Sequence, residues 1–117
     1  MEVTTTVDTV SYNTETGAFS KRVSRSYILD MANKCVNGDR EGDYGSPENS
    51  FNTIANLWTD YINAVSEGDA IVISAKDVAA MLALLKIARI ATGHKKDDNW
   101  IDLAGYAACG GEIQANE

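Results

Sequence analysis

The chain has 117 residues, enough for one domain with one hydrophobic core. Hydrophobic residues make up 44% of it and charged residues 23%, which excludes a disordered chain. A net charge of −7 argues against long nucleic acids and anionic membranes as partners, so a phosphate-bearing partner is expected to be a small ligand held by a local basic cluster.

Residues 1–23 differ in composition from the rest and form a predicted N-terminal arm. The segment VTTTVDTVSY is rich in β-branched residues, and the TETG that follows is a turn signal. This pattern predicts either a β-hairpin with its turn near residues 15–17 or an extended arm. A lone hairpin is marginal in water, so the arm is expected to pack on the helices or on a second subunit. The start of the chain has no secretory signal, which predicts a cytoplasmic protein.

Residues 24–117 form the second predicted unit, a compact domain of four helices, so the expected fold class is mainly α. Helix starts are predicted at Ser24, at Ser46 followed by Pro47, and at the capping box Ser74–Asp77, in which Asp replaces the usual Glu or Gln. The third helix carries apolar residues nearly all the way round, which predicts that it is the central buried one. The second helix carries a predicted apolar stripe of Phe51, Ile54, Ala55, Trp58, Ile62 and Val65, and Trp100 is expected on an apolar, core-facing side of the fourth. Glycines in the fourth helix predict close approach of a neighbouring helix.

Lys86 and Arg89 are the only charges between Val78 and Ala91. Being three residues apart, they project on the same side of the third helix. Burying two cations without partners would cost several kcal/mol. Either acids from another helix or an anionic ligand is therefore expected beside them.

Acids that could neutralise part of the positive charge of Lys86 and Arg89 occur in two places. Asp98 and Asp102 share a face at the start of the fourth helix, and Glu48 opens the second. Two or three converging carboxylates suit Mg²⁺, which also takes water and phosphate oxygens, so these three are the predicted metal ligands. Lys86 and Arg89 would then hold phosphate.

The glycine-rich loop before the second helix supplies two more candidates for the ligand. Arg40 is a further predicted phosphate-binding residue, and Tyr44 could stack on a base. A purely structural interpretation stands beside this one. Asp98 can serve as an ordinary N-cap, and the basic pair can form an internal ion-pair network with Asp98 and Asp102.

Two blocks of sequence carry a family resemblance. The strings GDREGDYGSPENSFNTIANLW and DVAAMLALLKIARIATGHKKDDNWIDLAGYAA resemble a small domain frequent in tailed bacteriophages and prophages. That domain has an NGDR-x-x-DYG-x-PE block and a K-x-x-R…DNW-x-D-x-x-GY block. The match covers about residues 28–112, and it implies a protein that acts in an infected or lysogenic bacterial host.

The second block is also similar to phage domains associated with nucleotide modification. More distantly, it is similar to the all-α MazG-like nucleotide pyrophosphohydrolases, which bind Mg²⁺ through an E-x-x-E pair and an E-x-x-D pair. The resemblance implies that Asp98 and Asp102 stand in for the second pair. The sequence has no E-x-x-E, and Glu48 has no acidic companion one turn later.

Three hypotheses follow from the sequence. The first is a binding module that sequesters a nucleotide, or a cyclic nucleotide-like immune signal, as a homo-oligomer. The second is a Mg²⁺-dependent pyrophosphohydrolase that cleaves nucleoside triphosphates. The third is a helical protein-interaction module without a small ligand. The missing acidic pair favours the first over the second, and whether the chain is an enzyme stays open.

Overall fold

A computed structural model describes the backbone of residues 9–13, 18–38 and 47–117, and the side chains of residues 23–38 and 50–117. Within these ranges two strands precede four helices, which confirms the predicted mainly α fold. The elements are β1 (Thr9–Asn13), β2 (Ala18–Arg22), α1 (Arg25–Asn37), α2 (Pro47–Val65), α3 (Ala75–Ala91) and α4 (Asp97–Ala115). No helix of the described residues is both long and apolar enough to cross a membrane.

The two strands pair antiparallel, with Thr9 opposite Arg22 and Asn13 opposite Ala18. Residues 14–17, where the sequence predicts a turn, lie outside the described residues. The division of the chain at residue 23 and the packing of the arm therefore stay predictions.

Local hydrogen bonds set the starts of the helices. The Ser24 hydroxyl accepts from the Tyr27 amide at 3.0 Å and caps α1. At α3, the Ser74 amide donates to Oδ2 of Asp77 at 2.9 Å, as in the predicted capping box. This bond and a second one from the Ser74 hydroxyl lower the pKa of Asp77, because both favour the charged carboxylate.

Glycines end α1 and α3 for two different reasons. Gly38 has a negative φ, but a Cβ there would collide with the Lys34 carbonyl oxygen, to which the Gly38 amide donates. Gly93 has a φ of +92°, a conformation that side-chain-bearing residues rarely adopt. The chain can therefore turn sharply at the end of α3.

The connection between α2 and α3 is fastened to α2 by two side chains. The Thr59 hydroxyl accepts from the Ile73 amide at 2.9 Å, and the Asn63 side chain bonds both the amide and the carbonyl of Ile71, at 3.0 and 2.8 Å. Because Thr59 and Asn63 are one turn apart, they hold alternate residues of the connection. This places Ile73 in the core.

The core lies where α2, α3 and α4 meet. Its buried members are Phe51, Ala55, Ile73, Ala75, Val78, Ala79, Cys109 and Ile113. Phe51, Ala55, Ile54, Trp58 and Ile62 were all predicted on the apolar stripe of α2 and all belong to this cluster or pack against it. Val65, predicted on the same stripe, is exposed.

The central helix is α4, which packs against α1, α2 and α3. A Cβ at Gly110 would lie 3.0 Å from the Cβ of Ala79, and one at Gly105 would lie 3.3 Å from Val36, so the predicted close approach is confirmed at both glycines. The prediction that the third helix is the central buried one is wrong. Its partners cover only the side that carries Val78 and Ala79, and the opposite side is exposed.

Candidate functional site

The end of α3 and the start of α4 meet at a tight turn over residues 92–96. The Thr92 hydroxyl donates to the Ala88 carbonyl at 2.9 Å, and the His94 amide donates to the Arg89 carbonyl at 3.1 Å. These bonds satisfy carbonyls that the helix end would otherwise leave free. The turn brings the last two turns of α3 alongside the first two turns of α4.

Lys86 forms an ion pair with Asp102 across this junction. Its Nζ lies 2.8 Å from Oδ2 of Asp102, and the two side chains are 17% and 28% exposed. The pair is therefore partly shielded from water, so it should contribute more than a fully exposed one. An acid on the neighbouring helix supplies the expected partner for Lys86.

Arg89 contacts an amide and not an acid. Its Nε donates to Oδ1 of Asn99 at 3.3 Å, and Nδ2 of Asn99 donates to the His94 carbonyl at 2.9 Å. Asn99 is only 3% exposed, so its amide is held from both ends in a buried position. We call the set Lys86, Arg89, Asn99 and Asp102 the α3–α4 corner.

The expectation that both cations are interior is wrong for Arg89. Its side chain is exposed, because α3 ends two residues later and the turn beside it is open to solvent. Asp98, expected near the basic pair, is also exposed, and within the described residues neither it nor Arg89 forms an ion pair. The charge of Arg89 is thus not neutralised by any side chain that the structure describes.

Sequence reasoning missed Asn99. It lies three residues before Asp102 and so on the same face of α4, a spacing that could have indicated it as the partner of Arg89. Trp100 was expected on an apolar, core-facing side of α4, but it is 54% exposed, which is a correction of that expectation. A large aromatic surface is therefore available next to Asn99 in the chain.

The remaining predicted site residues lie outside the region where side chains are described. These are Arg40, Tyr44 and Glu48. Among the described residues, no group of three or more His, Cys, Asp or Glu could hold a metal ion. Asp98 and Asp102 do not make a magnesium site by themselves, since Asp102 is paired with Lys86. Magnesium binding that includes Glu48 stays a prediction.

Two shallow hollows lie elsewhere on the helices. One, of about 360 Å³, is lined by residues of α2, the start of α3 and the C-terminal end of the chain, and the other, of about 490 Å³, runs between α3 and α4. Neither is lined by Lys86, Arg89, Asn99 or Asp102. The corner lies outside both hollows.

The arrangement of the corner suits the recognition of an anion. A guanidinium has five N–H donors in a fixed plane, and the bond to Asn99 uses only the one on Nε. The four donors on the two Nη atoms match the spacing of two oxygens of a phosphate or carboxylate. Because Asn99 is buried and fixed, less side-chain freedom is lost when Arg89 binds an anion.

Comparisons with known proteins point to a family and to relatives in phages. The model of a family described as a domain of unknown function, DUF6378, matches residues 27–114. The Gene 55 protein of Mycobacterium phage D29 is 39% identical over 83 residues, which are 70% of this chain and 50% of that protein. The Gene 55 protein of Mycobacterium phage L5 is 37% identical over 90 residues, 77% of this chain and 54% of that protein. No solved structure matches.

The chain therefore belongs to the DUF6378 family. It spans about half the length of the curated relatives that it matches. Both of these relatives are phage proteins, which confirms the part of the resemblance that pointed to a phage-type domain. The similarity to MazG-like enzymes stays a prediction.

Proposed function

We propose that this chain binds a nucleotide or a nucleotide-derived phosphate ligand at the α3–α4 corner, with Arg89 as the main phosphate contact. One observation supports the proposal above the others. Arg89 is oriented by a buried amide and, among the described residues, has no carboxylate partner, whereas Lys86 one turn earlier has one. An arginine needed only for an internal ion pair would be expected to contact an acid.

The roles of the two cations then differ. Lys86 joins α3 to α4 through its ion pair with Asp102, which neutralises most of its charge. Its proposed role is to hold the two helices together beside the ligand. Among the described residues, Arg89 has no carboxylate partner, and its two Nη groups form no hydrogen bond. Lys95 and Lys96, exposed in the adjoining turn, add two positive charges, which the exposed Asp97 and Asp98 directly after them offset.

A small ligand fits the charge of the chain better than a nucleic acid does. The protein as a whole carries −7, so a polyanion lying across its surface would meet repulsion outside the corner. The exposed ring of Trp100 offers a surface on which a base could stack. Tyr44 and Arg40 are further proposed contacts on the same ligand.

The phage relatives suggest a use for such binding. A phage protein that binds a nucleotide without changing it can sequester a nucleotide immune signal of its bacterial host, and we propose this role ahead of catalysis. Pyrophosphohydrolase activity would need a cluster of acids that the described residues do not form.

Calorimetric titration tests the proposal directly. A panel of ATP, dATP, GTP, ADP-ribose and cyclic dinucleotides is titrated into the wild type, with and without Mg²⁺. Loss of a bidentate, charge-assisted contact costs about 2–3 kcal/mol, so Arg89→Ala should weaken the binding of a hit roughly 30- to 150-fold. Arg25→Ala removes the same charge from an exposed position on α1 and is the matched control.

The result is decided by comparing these two variants. Equal loss of affinity in Arg89→Ala and Arg25→Ala would indicate general charge attraction and would overturn the corner as the site. Mass spectrometry of small molecules released from the denatured protein identifies a ligand that the panel lacks. If neither method finds a nucleotide or phosphate compound, the proposal is wrong.

A further inference from the structure

The side of α3 that faces away from the core is apolar from Ala80 to Ala91. It consists of Ala80, Met81, Leu84, Leu85, Ile87, Ala88 and Ala91, and we call this set the outer face of α3. All seven are exposed, with Leu84 at 62% and Leu85 at 52%. None of these seven residues is charged, although charged residues make up 23% of the chain.

The spacing along this face is that of a helix that packs against another helix. Met81, Leu84, Ala88 and Ala91 follow each other at intervals of three, four and three residues, which is the pattern of a coiled-coil seam. The alanines let a second helix approach closely. A helix that is apolar on all sides is normally buried on all sides, whereas here the described chain buries only one.

We propose that two copies of the chain meet through the outer face of α3 as an antiparallel homodimer. Area supports a second copy as the occupant. A standard interface buries about 800 Å² per chain, and homodimer interfaces are about 65% apolar, so about 500 Å² of apolar surface is needed. From the exposed fractions of its side chains, the outer face offers roughly that amount, which is near the upper end of what monomers normally expose.

Charge also supports a partner of the same kind. Two chains that each carry −7 repel, and they do so least where they meet on a surface without charge. At the start of α3 the charges of Lys76 and Asp77 cancel, and past its end Lys95 and Lys96 are followed by Asp97 and Asp98, so neither end carries a net charge that repels a second copy. The helix dipole then favours an antiparallel pair, because the positive N-terminal end of each α3 lies beside the negative C-terminal end of the other.

The undescribed segments of the chain are a poorer match to this face. Residues 39–46 read DREGDYGS, half of them charged, residues 14–17 read TETG, and residues 1–8 contain only Met1, Val3 and Val7 as apolar side chains. Together these three segments offer few large apolar groups for a seam of leucines. The strands of the arm add Val10, Tyr12 and Phe19, three large apolar residues against the four of the outer face (Met81, Leu84, Leu85 and Ile87).

Light scattering coupled to size-exclusion chromatography tests the proposal. The wild type should elute with twice the chain mass of 12.6 kDa and dissociate on dilution. The double variant Leu84→Glu/Leu85→Glu should have the mass of one chain and an unchanged helical circular dichroism spectrum, since both side chains are exposed in a single chain. Leu29→Glu, at 62% exposure on α1, is the matched control and should remain a dimer.

Cross-linking separates the two directions of pairing. In an antiparallel pair Ala91 lies opposite Met81, so a mixture of the Ala91→Cys and Met81→Cys chains should form a mixed disulfide, and Ala91→Cys alone should not link to itself. Self-linking of Ala91→Cys would overturn the antiparallel arrangement. A wild type of single-chain mass at every concentration, or a dimer that persists in the double glutamate variant, would overturn the interface.

Discussion

The Nε of Arg89 donates a hydrogen bond to Oδ1 of Asn99 at 3.3 Å, although Asp98 directly precedes Asn99 and Asp102 follows it one turn later. One turn earlier in α3 and one turn later in α4, Lys86 meets Asp102 at 2.8 Å. The two contacts connect the antiparallel helices α3 and α4 at successive turns. The acceptor is a neutral amide in the first contact and a carboxylate in the second. A neutral acceptor orients the guanidinium without cancelling its charge, and this difference underlies the proposed anion site.

Replacing Asn99 should destabilise the fold. In Asn99→Ala the His94 carbonyl and Arg89 both lose their partner, and a buried cavity replaces the amide, so the free energy of unfolding is expected to fall by about 1–3 kcal/mol. Urea denaturation measures this. Asn52→Ala, an exposed asparagine of α2, serves as the control and should change it by less than about 0.5 kcal/mol. Equal effects of the two variants would contradict the structural role of the amide.

The ion pair between Lys86 and Asp102 should be replaceable by a pair of apolar side chains. Each single variant, Lys86→Met or Asp102→Leu, leaves a half-buried charge without its partner and is expected to cost about 1–2 kcal/mol. The double variant should recover most of that loss. A double-mutant cycle by chemical denaturation measures the coupling, and strictly additive losses would show that the ion pair contributes nothing of its own.

The capping box at the start of α3 should make stability depend on pH. Because the Ser74 bonds lower the pKa of Asp77 below its ordinary 3.8, the native state favours the carboxylate. The stabilisation is present above pH 3.8 and is lost as the pH falls through the lower folded value. Asp77→Asn should therefore be less stable than wild type at neutral pH, and the gap should close in acid. A gap that stays constant with pH would contradict this assignment.

Two adjacent glycines of α4 should respond in opposite directions to the same change. Gly110→Ala places a methyl group 3.0 Å from the Cβ of Ala79 and is expected to lower the free energy of unfolding by about 1 kcal/mol, since α3 and α4 must move apart. Gly111→Ala meets nothing within 4 Å and should raise it by about 0.5–1 kcal/mol through helix propensity alone. Thermal denaturation of both variants checks the pair, and a stabilised Gly110→Ala would rule out tight packing there.

Local features were the most predictable part of the fold. Ser74 and Asp77 form their hydrogen bonds within one helical turn, so the residues next to each other in the sequence are sufficient to predict the capping box. The glycines of α4 likewise indicated a close neighbour, and both Gly105 and Gly110 have one. Such signals depend on backbone geometry, which does not change with the position of distant elements.

Exposure was less predictable, since it depends on which elements cover a helix. Leu84 and Leu85 are large and apolar, so the sequence around them predicts that they are buried. It does not say whether the surface that covers them belongs to the same chain. Trp100 and Arg89 were assigned to the interior for the same reason and are exposed. The amide of Asn99 was missed because the partner of a buried cation was sought among acids and anionic ligands, and not among neutral side chains.

The shortness of the turn at Gly93 has a consequence for the order of folding. The contacts from Arg89 to Asn99 and from Lys86 to Asp102 close loops of only 10 and 16 residues, so little chain entropy opposes them. Residues 75–115 can therefore pair as a helical hairpin before α1 docks on the far side of α4. The α3–α4 corner would then form early in folding, and the parts of the chain that dock later would set its lifetime rather than its formation.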